Sequence, residues 1–333
     1  MDKGDTQSES ASPNSSKERL KSRILKPGES FGNFRVVKCI SSGLLANYYH
    51  MQHVRDLRDV TLCVFHPRTI EDPKCLKRLE RLRAALQEIN HEGIPRIQDC
   101  VLMNQRHCIF MDAVKGQSLS QYFAEHAKPG AVGIDVEDAG RILTLLLGIL
   151  GYAHAQGVDH RDLDTDLIFI QSDGSMQLLG LGVKATLGGE LFDSVVSASV
   201  CPLSANVAPA RLNSFDVMSP EYRQGIPEDA RVDIFASGYI GYWLLTGMKA
   251  DLSNYNAPST IVDELPQVWD ALIEATLKRN RDERYQSCRS MLLALKGTAD
   301  ELQPERAGLI QRQIDRLLVP ERIVARGELA TRI

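Results

Sequence analysis

No stretch of the 333-residue chain stays apolar for the ~18 to 20 residues that a bilayer span needs. The most apolar run, Ile142 to Leu150, is bounded by Arg141 and His154 and reads as a buried helix. The seven cysteines, Cys39, Cys63, Cys75, Cys100, Cys108, Cys201 and Cys288, are odd in number and scattered, with no CxxC pair. That argues against a disulfide frame or a zinc site and for reduced thiols in a cytoplasmic setting. A large excess of one charge is also missing. A net charge of −4 leaves no basic footprint for nucleic acid and no polybasic membrane anchor. The charged N-terminus has no apolar core behind it, so no secretory signal is expected there. No internal repeat is visible.

What is present fits a soluble globular protein: 43% hydrophobic and 25% charged residues, in a chain long enough for one large or two modest domains. Residues 1–25 are rich in Ser, Asp, Glu and Lys and are expected to be a disordered tail, with too little to bury to offset ordering. From Phe31 the texture changes. Strands are predicted at Phe34 to Ile40, Asn47 to Met51 and Val60 to Phe65, an antiparallel meander of β-branched and aromatic residues with polar turns. A helix over Lys74 to Ile89 places Leu76, Leu79, Leu82 and Leu86 on one face. Two more strands are predicted at Arg96 to Leu102 and His107 to Met111. Beyond Gly116 the chain reads as mostly helical. Helices are predicted at Leu119 to Ala127, from about Asp135 to Ala155, and at Arg231 to Thr246, Val268 to Lys278, Cys288 to Lys296 and Pro304 to Leu318. A β-rich first third followed by a helical remainder suggests two lobes of an α+β protein.

His160-Arg161-Asp162-Leu163 follows the long helix, and Gly180-Leu181-Gly182 follows it in turn. This layout resembles the eukaryotic-like, bacterial-type serine/threonine protein kinase family. Five further landmarks agree in order. They are the hinge-like Asp112 to Leu119, the HPNI-like His91-Glu92-Gly93-Ile94, the APE-like Ser219-Pro220-Glu221, the DxWSxG-like Asp233 to Gly238, and Arg284 in the place of the late arginine. The resemblance implies a bilobal protein-kinase-like fold with a small β-rich N-lobe and a larger helical C-lobe. It divides the chain into a kinase-like domain at 30–298 (N-lobe 30–111, hinge 112–116, C-lobe 117–298) and a C-terminal helical extension at 299–333.

The same resemblance locates the chemistry, which in this family is mostly positioning and charge neutralisation around ATP and magnesium. The glycine-rich loop keeps only Gly43, with Leu44 and Leu45 at its tip. The strand-three lysine is Cys63, read as a small buried hydrophobe. The helix glutamate that would pair with that lysine falls at Leu82, while Glu80 lies on another face. The DFG aspartate is Gly180, the catalytic-loop asparagine is Leu167, and the lysine two residues past Asp162 is Asp164. No side-chain oxygen remains at either magnesium position. Tyr48, Thr61 and Phe169 stand at positions that line adenine, and their bulk is expected to close part of a nucleotide pocket. Asp162 keeps the place of the catalytic base. Its expected role is structural, alongside His160, Arg161, Glu221, Asp233 and Arg284, which in this family hold the C-lobe together. Leu181, His160 and Leu86 are expected to stack as an apolar spine. The segment 180–221 offers Thr186, Ser194, Ser197, Ser199 and Ser204 as hydroxyls in a loop.

The sequence-level reading is a pseudokinase, a cytoplasmic protein-binding or scaffolding module without phosphotransfer. No cofactor and no metal are expected. The implied partner is another protein, such as an active kinase or a membrane signalling component; its identity and the oligomeric state are not encoded in any motif. One alternative is a divergent or weakly active Ser/Thr kinase or nucleotidyl transferase that uses ATP and magnesium, with Asp162 as base and Asp162, Asp164 and Asp166 as an unconventional metal loop. Another is a binder of a small ligand other than ATP.

Overall fold

The computed structural model describes residues 24–43, 45–67, 73–127, 133–187, 212, 216–300 and 304–318. The chain forms two compact units: residues 1–122 with 155–215, and residues 123–154 with 216–333.

The first unit is built on a six-stranded antiparallel sheet. Its strands are β1 (Ser30–Phe31), β2 (Phe34–Ser42), β3 (Ala46–His53), β4 (Asp59–Phe65), β5 (Ile97–Met103) and β6 (Arg106–Asp112), in the order β1-β2-β3-β4-β6-β5. Val60 to Phe65 is an unbroken run of buried residues, as a central strand covered on both faces requires. Two register shifts in the β2–β3 pairing bend the sheet. One face buries Phe31, Val36, Tyr49, Met51, Val60, Leu62, Val64, Cys108 and Phe110 in a single cluster. The β5–β6 turn uses Asn104 and Gln105, both at positive φ, the twist-matched hairpin geometry.

Helix α1 (Pro73–Gln87) belongs to the same unit. Leu79, Leu82 and Leu86 are buried on it, whereas Leu76 is exposed, so the stripe is one residue shorter than its spacing predicts. Glu80 faces solvent. A second sheet, of β7 (Gln117–Ser118), β8 (Ile168–Ile170) and β9 (Met176–Leu178), was not predicted. Its strands are too short for a periodicity window. The Asp173-Gly174 turn between Ile170 and Met176 is the signal that marks the β8–β9 hairpin. Helix α2 (Leu119–His126) follows β7, and α3 (Val136–Ala155) precedes the catalytic-loop segment. A short helix, α4 (Val183–Leu187), follows Gly182.

The second unit is helical. Short α5 (Pro220–Arg223) precedes α6 (Arg231–Thr246), in which every residue after Arg231 is buried. It stops at Gly247, whose N–H reaches the Trp243 carbonyl at 2.7 Å. Around it lie α3, α7 (Val268–Thr276), α8 (Cys288–Asp300) and α9 (Pro304–Leu318). Helix α9 packs on α8, with Ile314 fully buried. Leu317 seats against Gly148 of α3, where a Cβ would lie 2.8 Å from its methyl carbon. Leu309 and Ile310, predicted on the same stripe, lie outside the described side chains, as do the loop hydroxyls of Ser194, Ser197, Ser199 and Ser204 and most of the polar tail.

Candidate functional site

All the positions where the kinase resemblance places nucleotide and metal chemistry fall in the first unit. Gly43 closes the β2–β3 turn, its N–H bonded to the Ala46 carbonyl at 3.0 Å. The Ser42 hydroxyl donates to Asn47 Oδ1 at 2.9 Å. Leu45 is buried, and Leu44 lies outside the described residues.

Cys63 sits opposite Tyr48 in the β3–β4 pairing. Its side chain is fully buried, and burial pushes the thiol far above its ordinary range, so it stays protonated. Tyr48 is 4% exposed and hydrogen-bonds Cys63. Burial raises the phenol well above its usual value, and its hydrogen bond to Cys63 and the nearby Asp162 carboxylate add to the shift. A neutral phenol therefore lies on the thiol and within the field of Asp162. Next along β4, Thr61 Oγ1 accepts the Val114 N–H at 3.0 Å. That bond ties β4 directly to the hinge-like segment. Phe169 is buried within β8.

The catalytic-loop segment is fastened to the stretch around Gly180 by three bonds. His160 Nε2 donates to the Leu179 carbonyl at 2.7 Å, Leu179 N–H reaches the Leu167 carbonyl at 2.9 Å, and Gly182 N–H reaches the Asp159 carbonyl at 3.0 Å. His160 Nδ1 accepts the Asp162 N–H at 3.2 Å, which fixes the tautomer with hydrogen on Nε2. Arg161 holds a left-handed backbone, φ +63°, and its guanidinium grips Asp159 Oδ2 at 2.7 and 3.1 Å. The Asp164 side chain accepts the Asp166 N–H at 2.8 Å. Asp166 in turn takes the hydroxyls of Ser118 and Ser120. Asp164 and Asp166 are thus engaged in shaping their own loop. Among the described residues, no group of three or more His, Cys, Asp or Glu side chains is placed to hold a metal ion.

Leu167 is buried where the resemblance expects an amide oxygen. Gly180 takes φ +91°, and a Cβ there would stand 3.2 Å from the His160 ring and from Leu167 Cδ1. Gly182, at φ +71°, is covered directly by Leu82 of α1. The apolar residue at the place of the helix glutamate is therefore matched to a missing side chain opposite it. Leu181, His160 and Leu86 are all buried. The side chains at these positions do not fit a magnesium ion, which requires oxygen ligands in octahedral array. At the place of the family's lysine, Cys63 brings no charge for a triphosphate.

Two features lay beyond sequence reasoning. Cross-strand pairing turned Tyr48 and Thr61 from bulky residues into hydrogen-bonding ones. Lys184, the one lysine of α4, is almost fully buried beside the loop, and its position in an otherwise apolar turn was the available signal.

The remaining site residues lie in the second unit. Glu221 and Arg284 form a buried bidentate pair at 2.8 and 2.7 Å. Arg284 also bonds the carbonyl of Lys278 at 2.8 Å and lies over the Phe235 ring at 4.9 Å. Asp233 is fully buried and meets His154 Nε2 at 2.8 Å, while His154 Nδ1 lies 3.5 Å from Cys288 Sγ.

Comparison with known proteins agrees with this layout. Residues 34–309 match the protein kinase domain family. The probable serine/threonine-protein kinase PknB of Lactococcus lactis is 26% identical over 226 residues, 67% of this chain and 33% of that protein. Serine/threonine-protein kinase PknL of Mycobacterium tuberculosis is 26% identical over 281 residues, 79% of this chain and 65% of that protein. The chain thus spans between a third and two thirds of the length of these relatives. The crystal structure of the M. tuberculosis PknI kinase domain superposes with a TM-score of 0.61 at 22% identity, covering 83% of this chain and all of that one. The fold is that of a protein kinase, with a curled β-sheet N-lobe and a helical C-lobe. With a match running from β2 into α9, this chain belongs to the protein kinase domain family.

Proposed function

We propose that this protein is a pseudokinase, a cytoplasmic protein-binding or scaffolding module that carries out no phosphotransfer. The observation that carries the reading is the Tyr48–Cys63 contact. A buried neutral phenol bonded to a buried neutral thiol stands where the family keeps an ammonium for the α- and β-phosphates. The Thr61–Val114 bond supports it by engaging a hinge donor. Leu167 and Gly180 support it from the metal side. Asp162 then acts as part of a folded loop, because a base without phosphate cradle, lysine or metal has little to act on. Its partner is another protein, met by a lobe surface. Among the described residues no helix is long and apolar enough to cross a membrane.

The test is a nucleotide and metal screen by thermal shift, joined to an autophosphorylation assay with Asp162→Asn as control. The expected result is no shift with micromolar ATP, with or without magnesium, and no phosphate incorporation. Incorporation that vanishes in Asp162→Asn would overturn the reading in favour of a divergent kinase.

A further inference from the structure

Tyr255 carries a phenol that the fold leaves unused. It lies in the segment between α6 and α7, and its ring packs against the Tyr242 ring of α6 with centroids 5.8 Å apart. Its hydroxyl oxygen is buried, yet among the described residues it has no hydrogen-bond partner. Burial first, then Tyr242 and the carboxylates of Asp270 and Glu274, push the phenol well above its ordinary range, so it stays protonated and able to donate. A buried donor without an acceptor is unfavourable, and such a group in a native fold calls for an explanation.

The same residue lines a cavity of about 210 Å³ that opens at the protein surface, together with Leu252, Glu274, Leu277, Lys278 and Arg279. Glu274 and Lys278 pair with each other at 2.7 Å. Arg279 is exposed, and among the described residues its guanidinium has no partner. The lining therefore carries one uncompensated positive charge. Its rim is held from beneath, because the buried Arg284 guanidinium donates to the carbonyls of Lys278 and Arg279 at 2.8 and 3.3 Å.

Size decides between occupants. Sites for cofactors and drug-sized ligands enclose roughly 300–1,000 Å³. This cavity is smaller and suits one large side chain, held against Leu252 and Leu277. The phenol then needs a neutral acceptor, since two carboxylates already act on it, and Arg279 needs an acid. A peptide supplies the apolar side chain, the backbone carbonyl and the acidic neighbour together.

We propose that this cavity is the docking pocket for an extended segment of a partner protein, in which one large apolar residue stands beside an acidic one. The proposal rests on the protein-binding reading above and deepens it, because it names where the partner is held and by what chemistry.

Fluorescence anisotropy of labelled, end-blocked pentapeptides on the full chain tests it, with no nucleotide or metal present. The probes carry a central leucine or phenylalanine between two glutamates, and at least one is expected to bind with a Kd on the order of 10⁻⁴ M. Alanine at the centre should weaken binding roughly tenfold. Tyr255→Phe should weaken it about fivefold while melting no lower than wild type, because the hydroxyl has no bond to lose in the free protein. Arg279→Glu should reverse the preference, favouring a probe with lysine flanks over one with glutamates. A probe that binds wild type and Arg279→Glu alike, or as tightly with alanine at its centre, would overturn the proposal. So would a Tyr255→Phe protein that melts well below wild type, which would make the hydroxyl part of the fold. Displacement of the probe by an equal concentration of free isocaproate would overturn it in favour of a small-carboxylate site. No binding of either probe at millimolar protein would overturn it too and leave the absence of phosphotransfer intact, since the assay holds no ATP. Phosphate incorporation in the kinase assay would do the reverse.

Discussion

Restoring the aspartate at position 180 is the sharpest test of the site's geometry. Gly180 holds φ +91°, a region in which a side-chain-bearing residue is strained by about 1–3 kcal/mol. Its Cβ would press on the His160 ring and on Leu167 Cδ1, each at 3.2 Å. His160 cannot readily give way, because Nε2 is bonded to Leu179 and Nδ1 to Asp162. Crowding of this kind adds about 1–3 kcal/mol. The carboxylate would enter a wall formed by a fully buried imidazole and a buried leucine. The expected loss for Gly180→Asp is therefore roughly 2–6 kcal/mol, on the order of 5–15 °C in Tm for a chain of this size. Gly180→Ala, which carries the strain and the Cβ contacts without the charge, should lose less. Urea denaturation followed by circular dichroism reads both, and an unchanged m-value assigns the difference to the folded state. Magnesium should not rescue Gly180→Asp, because Leu167 offers no second oxygen. A variant within about 1 kcal/mol of wild type, or one stabilised by magnesium, would refute the steric reasoning and reopen the site to metal.

Three further outcomes follow from other contacts. Glu221→Ala strands the fully buried Arg284 guanidinium and should cost about 3–5 kcal/mol, measured by urea denaturation; an effect under about 1 kcal/mol would mean the pair is not the brace it looks like. Leu82→Glu places a carboxylate against Gly182 with no ammonium at Cys63, and should lower Tm by several degrees, a loss that Leu82→Met, near in volume, should largely avoid. At His154, burial lowers the imidazole, but hydrogen bonds to Asp233 and Cys288 more than offset it and hold the pKa at about 10. The folded protein therefore keeps a proton that the unfolded chain releases near pH ~6.5, and this contribution is complete below that value and fades as pH rises towards about 10. Tm should fall between pH 7 and pH 9.5 more steeply in wild type than in His154→Gln; equal slopes would remove His154 as the cause.

The parts of the fold that could be read from sequence are those in which one physical signal dominates. The spacing of leucines found α1, and the largely apolar run of α6 ended at Gly247 as its breaker predicts. Stop signals at single residues worked because a helix end is a local event. The β7–β8–β9 sheet escaped because strands of two or three residues carry no period. At the site, residue identity was enough to see that charge was missing at Cys63, Leu167 and Gly180. It was not enough to see what filled the space. The Thr61–Val114 bond joins residues 53 apart in sequence, and the Tyr48–Cys63 contact depends on β3–β4 register. Both are long-range facts that composition and spacing do not contain. Lys184 carried only a weak local signal, its place in an otherwise apolar turn, because its burial is likewise set by long-range packing.

The residues that match the kinase pattern and those that depart from it differ in the kind of partner they require. His160 bonds backbone atoms of Leu179 and Asp162, Arg284 bonds Glu221 and the Lys278 carbonyl, and Asp233 bonds His154. All of these partners are inside the chain, so the bonds stabilise the fold whether or not a ligand ever binds. The departures fall at positions whose family partner is a phosphate or a metal. On the reading proposed here, a lysine at 63 or an aspartate at 180 would be a buried charge facing nothing, which costs several kcal/mol. Replacing it with a thiol or a hydrogen removes that penalty, and replacing the matching glutamate with Leu82 removes its counterpart. The substitutions are thus coupled by electrostatics, and reversing one alone should be worse than reversing a pair. Cys63→Lys and Leu82→Glu made together should destabilise less than the sum of the two single changes, by about 1–3 kcal/mol of coupling in a double-mutant cycle. Strict additivity would mean that the two positions no longer sense each other, and that the loss of charge at each has a separate cause.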